Sequence, residues 1–171
     1  MTEVFAGRAE ARATARAREL FAGVAIVCLA AVGAALVSQH AFDMQPCPWC
    51  VLQRVVYVAI ALVCLIGLAW SSAAGRAIAG GLALLLALCG AAAALWQHYK
   101  AAASASCNLT LADRIISALQ LNRILPSVFE PRASCADAAV SLLGVSYDFW
   151  SLALFVLIAI TAARVLGGRG D

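Results

Sequence analysis

Four of the seven cysteines in this chain stand where a thiol can do chemistry. Cys47 and Cys50 lie in Pro46-Cys47-Pro48-Trp49-Cys50, while Cys107 and Cys135 fall in a long polar stretch further on. Two residues between sulfurs permit a small disulfide ring. A helix that starts at the second cysteine also directs N–H groups and the positive dipole end at sulfur, which favours thiolate. Pro48 restricts the backbone between the pair. Cys28, Cys64 and Cys89 sit inside apolar runs, where a thiol behaves as a small hydrophobe, and are read as structural. In an oxidising compartment the other four are expected as disulfides, with three pairings open. Proximity in sequence favours Cys47 with Cys50 and leaves Cys107 for Cys135.

A lone Cys-x-x-Cys has other uses. Four cysteines can ligate zinc, but a structural zinc site usually has two close pairs, and Cys107 and Cys135 are 28 positions apart. No metal is therefore expected. A c-type haem is a weaker reading still, because Val51 stands where the attachment motif requires His. A purely structural pair of disulfides remains the alternative.

Arg54 separates a redox pair from a structural one. It follows Cys50 by four residues and so shares its helix face. An arginine at a membrane edge can simply snorkel to the interface. Beside a poised thiolate, a guanidinium also stabilises charge on sulfur and offers donors to a quinone carbonyl, whose oxygens gain charge on reduction. Energetics point the same way. A strongly oxidising periplasmic dithiol protein sits near about −120 mV, and other thioredoxin-like pairs at about −180 to −270 mV. A deficit of roughly 60 mV opposes transfer by about 3 kcal/mol, so such a pair needs a stronger oxidant behind it. A Cys-x-x-Cys at membrane depth can meet a lipid-soluble one.

The elements that must hold these residues are membrane helices. Hydrophobic residues make up 64% of the chain and charged residues 12%, with a mean hydropathy of +0.93; soluble domains have about 45–50% and about 25%. A spanning helix needs roughly 20 mostly apolar residues. Runs at about 20–38, 51–70, 77–96 and 149–166 meet that, so the expected fold is an all-α four-transmembrane-helix bundle in one domain, 1–171. The third run is rich in Ala, Leu and Gly and suits close packing. Arg8, Arg12, Arg16 and Arg18 precede the first run at near-helical spacing, as an interfacial helix or as the start of a secretory signal. Ser38-Gln39-His40 offers no clear cleavage site, which favours an uncleaved first helix. Between the third and fourth runs, Leu109, Leu111, Ile115, Ile116, Leu119 and Leu121 predict a short amphipathic helix on the membrane surface.

Four crossings put both termini and the Ser71–Arg76 turn on one side, and the loops at about 39–50 and 97–148 on the other. The first side carries Arg8, Arg12, Arg16, Arg18, Arg76, Arg164 and Arg169, against Arg54, Lys100, Arg114, Arg123 and Arg132. Four arginines precede the first helix and none follows it before Arg54, so the termini are expected in the cytoplasm and both cysteine loops outside, in the periplasm. The net charge of +3, with dispersed arginines and no interleaved aromatics, gives no nucleic-acid footprint.

Pro46-Cys47-Pro48-Trp49-Cys50 with Arg54, a long second loop carrying Cys107 and Cys135, and the segments Cys135-Ala136-Asp137 and Leu143-Gly144 together resemble the bacterial disulfide bond formation protein B family, DsbB. The resemblance covers the whole chain in topology. It implies an inner-membrane protein-dithiol:quinone oxidoreductase acting on a periplasmic DsbA-like thioredoxin-fold partner, with ubiquinone or menaquinone as acceptor. It also implies a relay in which Cys107 forms a mixed disulfide with the partner and Cys135 exchanges with Cys47, leaving Cys50 as the thiolate facing the quinone. Arg54 matches the family's quinone-contacting arginine. The family often has Glu just before it, where this chain has Gln53, which removes a possible ion-pair partner. His98, near the outer end of the third helix, is a second candidate for the quinone, with a water-satisfied interfacial His as its alternative. Trp49 is a candidate ring neighbour, or else a generic interfacial aromatic. Two other classes stay open: a non-catalytic tetraspan scaffold stabilised by disulfides, and a quinone-linked enzyme of the vitamin K epoxide reductase type, in which the Cys-x-x-Cys belongs near the last helix rather than opening the second.

Overall fold

A computed structural model describes residues 2–70, 72–101, 110–138 and 140–167. Cys107, Leu109 and Arg169 lie outside the described residues. Among the described residues four helices are long and apolar enough to cross a membrane: Glu10–Ala41, Pro48–Ala69, Ala73–Ala101 and Tyr147–Gly167.

Helix α1 runs unbroken over Thr2–Ala41. The basic tail is therefore not a separate interfacial helix. The stretch is Ala-rich and has no proline before Pro46, so nothing stops the helix. Forty residues at ~1.5 Å each give about 60 Å, roughly twice the hydrocarbon thickness. Arg12, Arg16 and Arg18 thus ride on an extension of the span itself. Asp43, at φ 52°, turns the chain after α1, a conformation Asp tolerates better than most residues.

Helix α2 spans Pro48–Ala69 and starts three residues before the apolar run does. Cys47 is its N-cap and Pro48 its first residue, where a missing N–H costs nothing. Helix α3, Ala73–Trp96, likewise starts early because the Ser72 hydroxyl accepts from the Gly75 N–H at 3.0 Å. It runs into a π-helical turn, Gln97–Ala101, a distortion found often at functional sites. The last span is packed against α3.

Phe21, Cys28, Tyr57, Ile60, Cys64, Phe155 and Ile158 form the core with Ala79, Ala83 and Ala87 from α3. The small residues let helices approach closely. Gly90 makes room for Phe155, because a Cβ there would stand within 2.6 Å of three atoms of that ring and force it to shift. Cys28 and Cys64 are buried in this core and Cys89 faces outward. Ile26, Leu29, Leu62, Ile66, Leu85, Leu88, Leu157 and Ile160 are exposed around the bundle, which suits a surface solvated by lipid.

A cap of short elements covers the cysteine end. Helix α4, Leu111–Ala118, carries a capping box in which Thr110 and Asp113 bond reciprocally. Ala112 and Ile116 face the bundle, while Leu111 and Leu119 are exposed. The single turns α5, Leu121–Ile124, and α6, Pro126–Phe129, follow. A small hairpin, β1 (Ser141–Leu142) with β2 (Val145–Ser146), departs from the all-helical expectation. Its turn residues Leu143 and Gly144 both have positive φ, as a two-residue hairpin turn demands. The last span, α7, Tyr147–Gly167, follows directly.

Candidate functional site: three cysteines and a membrane-edge cavity

The Cys47 sulfur accepts the backbone N–H of Cys50 at 3.2 Å, as the side chain of an N-cap does. That bond folds the Cys-x-x-Cys onto the end of α2 and brings the two sulfurs into contact at 2.7 Å. Cys47 is fully buried and Cys50 half-buried.

Cys135 comes to the same place from the second loop. The backbone N–H groups of Arg132 and Ala133 both donate to the Pro46 carbonyl, at 2.9 and 3.3 Å. Ser134 then closes a turn around Cys135, its hydroxyl donating to Asp137 at 2.6 Å and accepting the Asp137 N–H. In this arrangement Cys135 packs beside Cys47 and Trp49. Hydrogen bonds to Cys135 and Cys50, then burial, push the Cys47 thiol far up. The same bond from Cys47, helped by the Trp49 backbone and opposed by burial, holds Cys135 below the usual thiol range. Of the two sulfurs, Cys135 therefore gives up its proton more readily than Cys47, which favours it as the attacking thiolate. The expected Cys107–Cys135 pair falls partly outside the described residues; the described neighbour of Cys135 is Cys47.

Cys50, Gln53, Arg54 and Tyr57 share one face of α2, and all line a cavity of about 250 Å³. Ala31, Ala34 and Ala35 of α1 form one wall, and Trp150, Ser151 and Leu154 of α7 the other. A second cavity of about 520 Å³ reaches Cys50 and Arg54 from the loop side, past Pro46, Arg132 and Asp137.

Arg54 does not snorkel. It is 6% exposed, and Nη1 donates to Gln39 Oε1 at 2.7 Å and to the Val128 carbonyl at 3.0 Å, while Nη2 donates to the Ala35 carbonyl at 3.3 Å. Among the described residues it has no carboxylate partner. A buried cation held only by neutral acceptors favours any negative charge that develops nearby, and Cys50 lies one helical turn away.

Trp49 does not line the cavity. One residue before Cys50 is a rotation of about 100°, and its indole packs instead toward Trp96, with centroids 6.4 Å apart. His98 does not line it either. Its Nδ1 meets Asp148 Oδ2 at 2.8 Å, and its ring lies against Phe149 and Tyr99. The Asp148 carboxylate, itself paired with Ser146, is the member of that pair on the cavity wall.

Sequence reasoning missed Gln97. Its amide nitrogen donates to the Cys50 sulfur at 3.3 Å, and its oxygen accepts from Gln53 Nε2 at 2.9 Å. Gln53 therefore turns toward α3 and away from Arg54. The available signal was that Gln39, Gln53 and Gln97 are amides at the edges of apolar runs, where an uncompensated polar group is costly.

Residues 17–165 match the family described as disulfide bond formation protein DsbB. A protein named disulfide bond formation protein B from Aromatoleum aromaticum is 35% identical over 156 residues, 89% of this chain and 93% of its own length. One from Herminiimonas arsenicoxydans is 33% identical over 144 residues, covering 84% and 90%. Another, from Pseudomonas syringae pv. tomato, is 37% identical over 136 residues, covering 79% and 80%. With four membrane-length helices and Cys47, Cys50 and Cys135 gathered at one end of them, the chain belongs to the DsbB family of multi-pass bacterial membrane proteins.

Proposed function

We propose that this chain is a protein-dithiol:quinone oxidoreductase that reoxidises a periplasmic DsbA-like thioredoxin-fold protein and passes the electrons through two cysteine pairs to ubiquinone or menaquinone. The observation that carries this reading is the position of Cys47, its sulfur in contact with Cys50 while Cys135 packs against the same cluster. A structural disulfide has no use for a third sulfur at its back.

The exchange balances as follows. A thiolate of the reduced partner attacks Cys107 of a Cys107–Cys135 disulfide, forming a mixed disulfide and releasing Cys135 as thiolate. Cys135 attacks Cys47 of the Cys47–Cys50 disulfide, the Cys47–Cys135 bond forms, and Cys50 leaves as thiolate. Attack at Cys47 suits the geometry, since Cys135 packs beside that sulfur. The partner's second thiol resolves the mixed disulfide, which oxidises the partner by two electrons and frees Cys107; Cys107 then attacks Cys135, re-forming Cys107–Cys135 and releasing Cys47, so that Cys47 and Cys50 together hold the two electrons. The bundle lies in the inner membrane with its termini in the cytoplasm and the cysteines in the periplasm, as the arginines ahead of α1 indicate.

The cavity beside Cys50 fits a quinone ring, with apolar walls from Ala31, Ala34 and Leu154 and polar groups of Arg54, Gln97 and Asp148 at its edge. When bound, a quinone accepts two electrons and two protons. Arg54 supplies the fixed positive charge, and Cys50 presents its sulfur. The Asp148 carboxylate stands on the cavity wall and meets His98, which is the more exposed of the two.

Purified protein supplied with a short-chain ubiquinone should oxidise a reduced thioredoxin-fold dithiol protein over many turnovers. Cys47→Ser, Cys50→Ser, Cys107→Ser and Cys135→Ser should each abolish turnover. Normal turnover in Cys50→Ser would sink the reading. Loss of stability in these variants, with no quinone-dependent oxidation by the parent, would make the chain a disulfide-stabilised scaffold.

A further inference from the structure

The hydrogen-bond chain Gln53→Gln97→Cys50 has a polarity, and that polarity has consequences for the reacting sulfur. Gln97 and Gln53 are 6% and 5% exposed, so each amide must find its partners inside the protein. An amide has a donor end and an acceptor end, and Gln97 uses one on each neighbour. Its NH2 meets the Cys50 sulfur at 3.3 Å, and its oxygen takes the Gln53 NH2 at 2.9 Å. A thiolate only accepts, so charge on Cys50 requires Gln97 to present its nitrogen. Gln97 can do so only if its oxygen finds a donor behind it.

We propose that Gln97 is a further catalytic residue, the neutral donor that stabilises Cys50 as thiolate, and that Gln53 is the positioning residue that keeps its amide turned that way. The inference rests on the reading of Cys50 as the leaving thiolate. Gln53 suits this role because its amide can donate. A carboxylate at position 53 would accept from the Gln97 NH2 instead, rotating its oxygen toward Cys50, where only a protonated thiol is a fitting neighbour. The π-helical turn that begins at Gln97 contributes as well. It sets Gln97 toward α2 while the next residue, His98, reaches Asp148 on α7.

The test is the pH profile of Cys50 alkylation by iodoacetamide, followed by mass spectrometry in detergent with a phosphine reductant, in a Cys47→Ala background so that Cys50 titrates alone. No oxidant is present, so the outcome is independent of whether the protein turns over quinone. A hydrogen bond to a charged group is worth about tenfold to a hundredfold in thiolate population. Gln97→Leu and the closer isostere Gln97→Met should therefore slow Cys50 alkylation by about that factor below the midpoint. Cys135, in the same samples, should move far less than Cys50 and in the opposite direction, since it loses only the repulsion of the Cys50 charge, and so reports an intact fold. Gln53→Glu should slow Cys50 about tenfold in the Gln97 protein and have little further effect in the Gln97→Met protein, because it acts through the amide. An unchanged profile in Gln97→Met overturns the role of Gln97. A Gln53→Glu effect that persists undiminished without Gln97 overturns the relay and leaves direct repulsion by the carboxylate.

Discussion

The backbone N–H of Arg132 donates to the carbonyl of Pro46 at 2.9 Å, one residue before Cys47. This bond, with its neighbour from Ala133, is what keeps the second loop's cysteine against the first loop's. Removing a donor without removing the side chain's neighbours is possible with proline. Arg132→Pro should cost about 0.5–1.5 kcal/mol of loop docking, lowering the yield of the Cys47–Cys135 disulfide about two- to tenfold. The measurement is disulfide mapping of a Cys50→Ala protein in a thiol redox buffer. Arg132→Ala is the control: it keeps the N–H and loses only an exposed pair with Glu130, worth at most about 1 kcal/mol. Equal yields in the two variants would mean the loops are docked by something else.

The thiols of the reduced protein should label in a fixed order with pH. Cys135 is held below the usual thiol range by the bond from Cys47, and Cys47 is pushed above it by the same bond and by burial. Cys135 should therefore become reactive at lower pH than an ordinary thiol, and Cys47 only at higher pH than one. Cys47→Ala removes the donor, so the Cys135 profile should move to higher pH. A shift to lower pH, or none, would show that Cys47 does not hold the Cys135 charge.

How much of this was legible in the chain depends on the kind of signal. The four spans and the Leu111–Ala118 part of the amphipathic helix follow from apolar runs and periodicity, which burial in lipid or against a core enforces over many residues, whereas Gln120 at φ 54° breaks that helix and leaves Leu121 to a separate turn. Helix starts were misplaced by two to four residues at Pro48, Ala73 and Tyr147 because single caps set them and hydropathy does not register Cys47 or Ser72 as part of a helix. The shared face of Cys50 and Arg54 could be read from their spacing. What Arg54 bonds could not, since Gln39 and Val128 are brought to it by tertiary packing from 15 residues before and 74 residues after. The same holds for Gln97, which is 47 residues from the sulfur it touches. Trp49 and His98 each stand next to a residue that lines the cavity, but the helical rotation that separates neighbouring residues keeps both out of its lining.

Arg54 joins α1, α2 and α6 through three acceptors. Arg54→Met would leave Gln39 Oε1 and the Val128 carbonyl without that donor in a buried setting, at a cost of about 1–3 kcal/mol per stranded group. Thermal unfolding in detergent should fall clearly. Arg54→Lys keeps the charge but has a single ammonium where a planar fork now spans two nitrogens and three acceptors. It should recover part of the thiolate stabilisation at Cys50 and little of the lost stability. If Arg54→Lys restored stability fully, the fork geometry would be irrelevant and only the charge would count.

The opposite wall of the cavity depends on a glycine on a helix that contributes only Gln97 to the lining. Phe155 occupies the space a side chain at position 90 would need, and its ring stacks on Tyr57 at 4.2 Å with the planes 4° apart. Tyr57 is in turn hydrogen-bonded to the Ser151 hydroxyl at 2.9 Å, and both residues line the cavity beside Cys50. Gly90→Val should therefore push Phe155 and disturb that wall, with an overpacking cost of about 1–3 kcal/mol. The quinone KM should rise while the Cys135 alkylation profile stays as in the parent, because the segment before Cys135 is held by the Pro46 carbonyl at the far end of the site. A KM unchanged in a protein that has lost stability would separate the Phe155–Tyr57 stack from the cavity and leave it a packing feature alone.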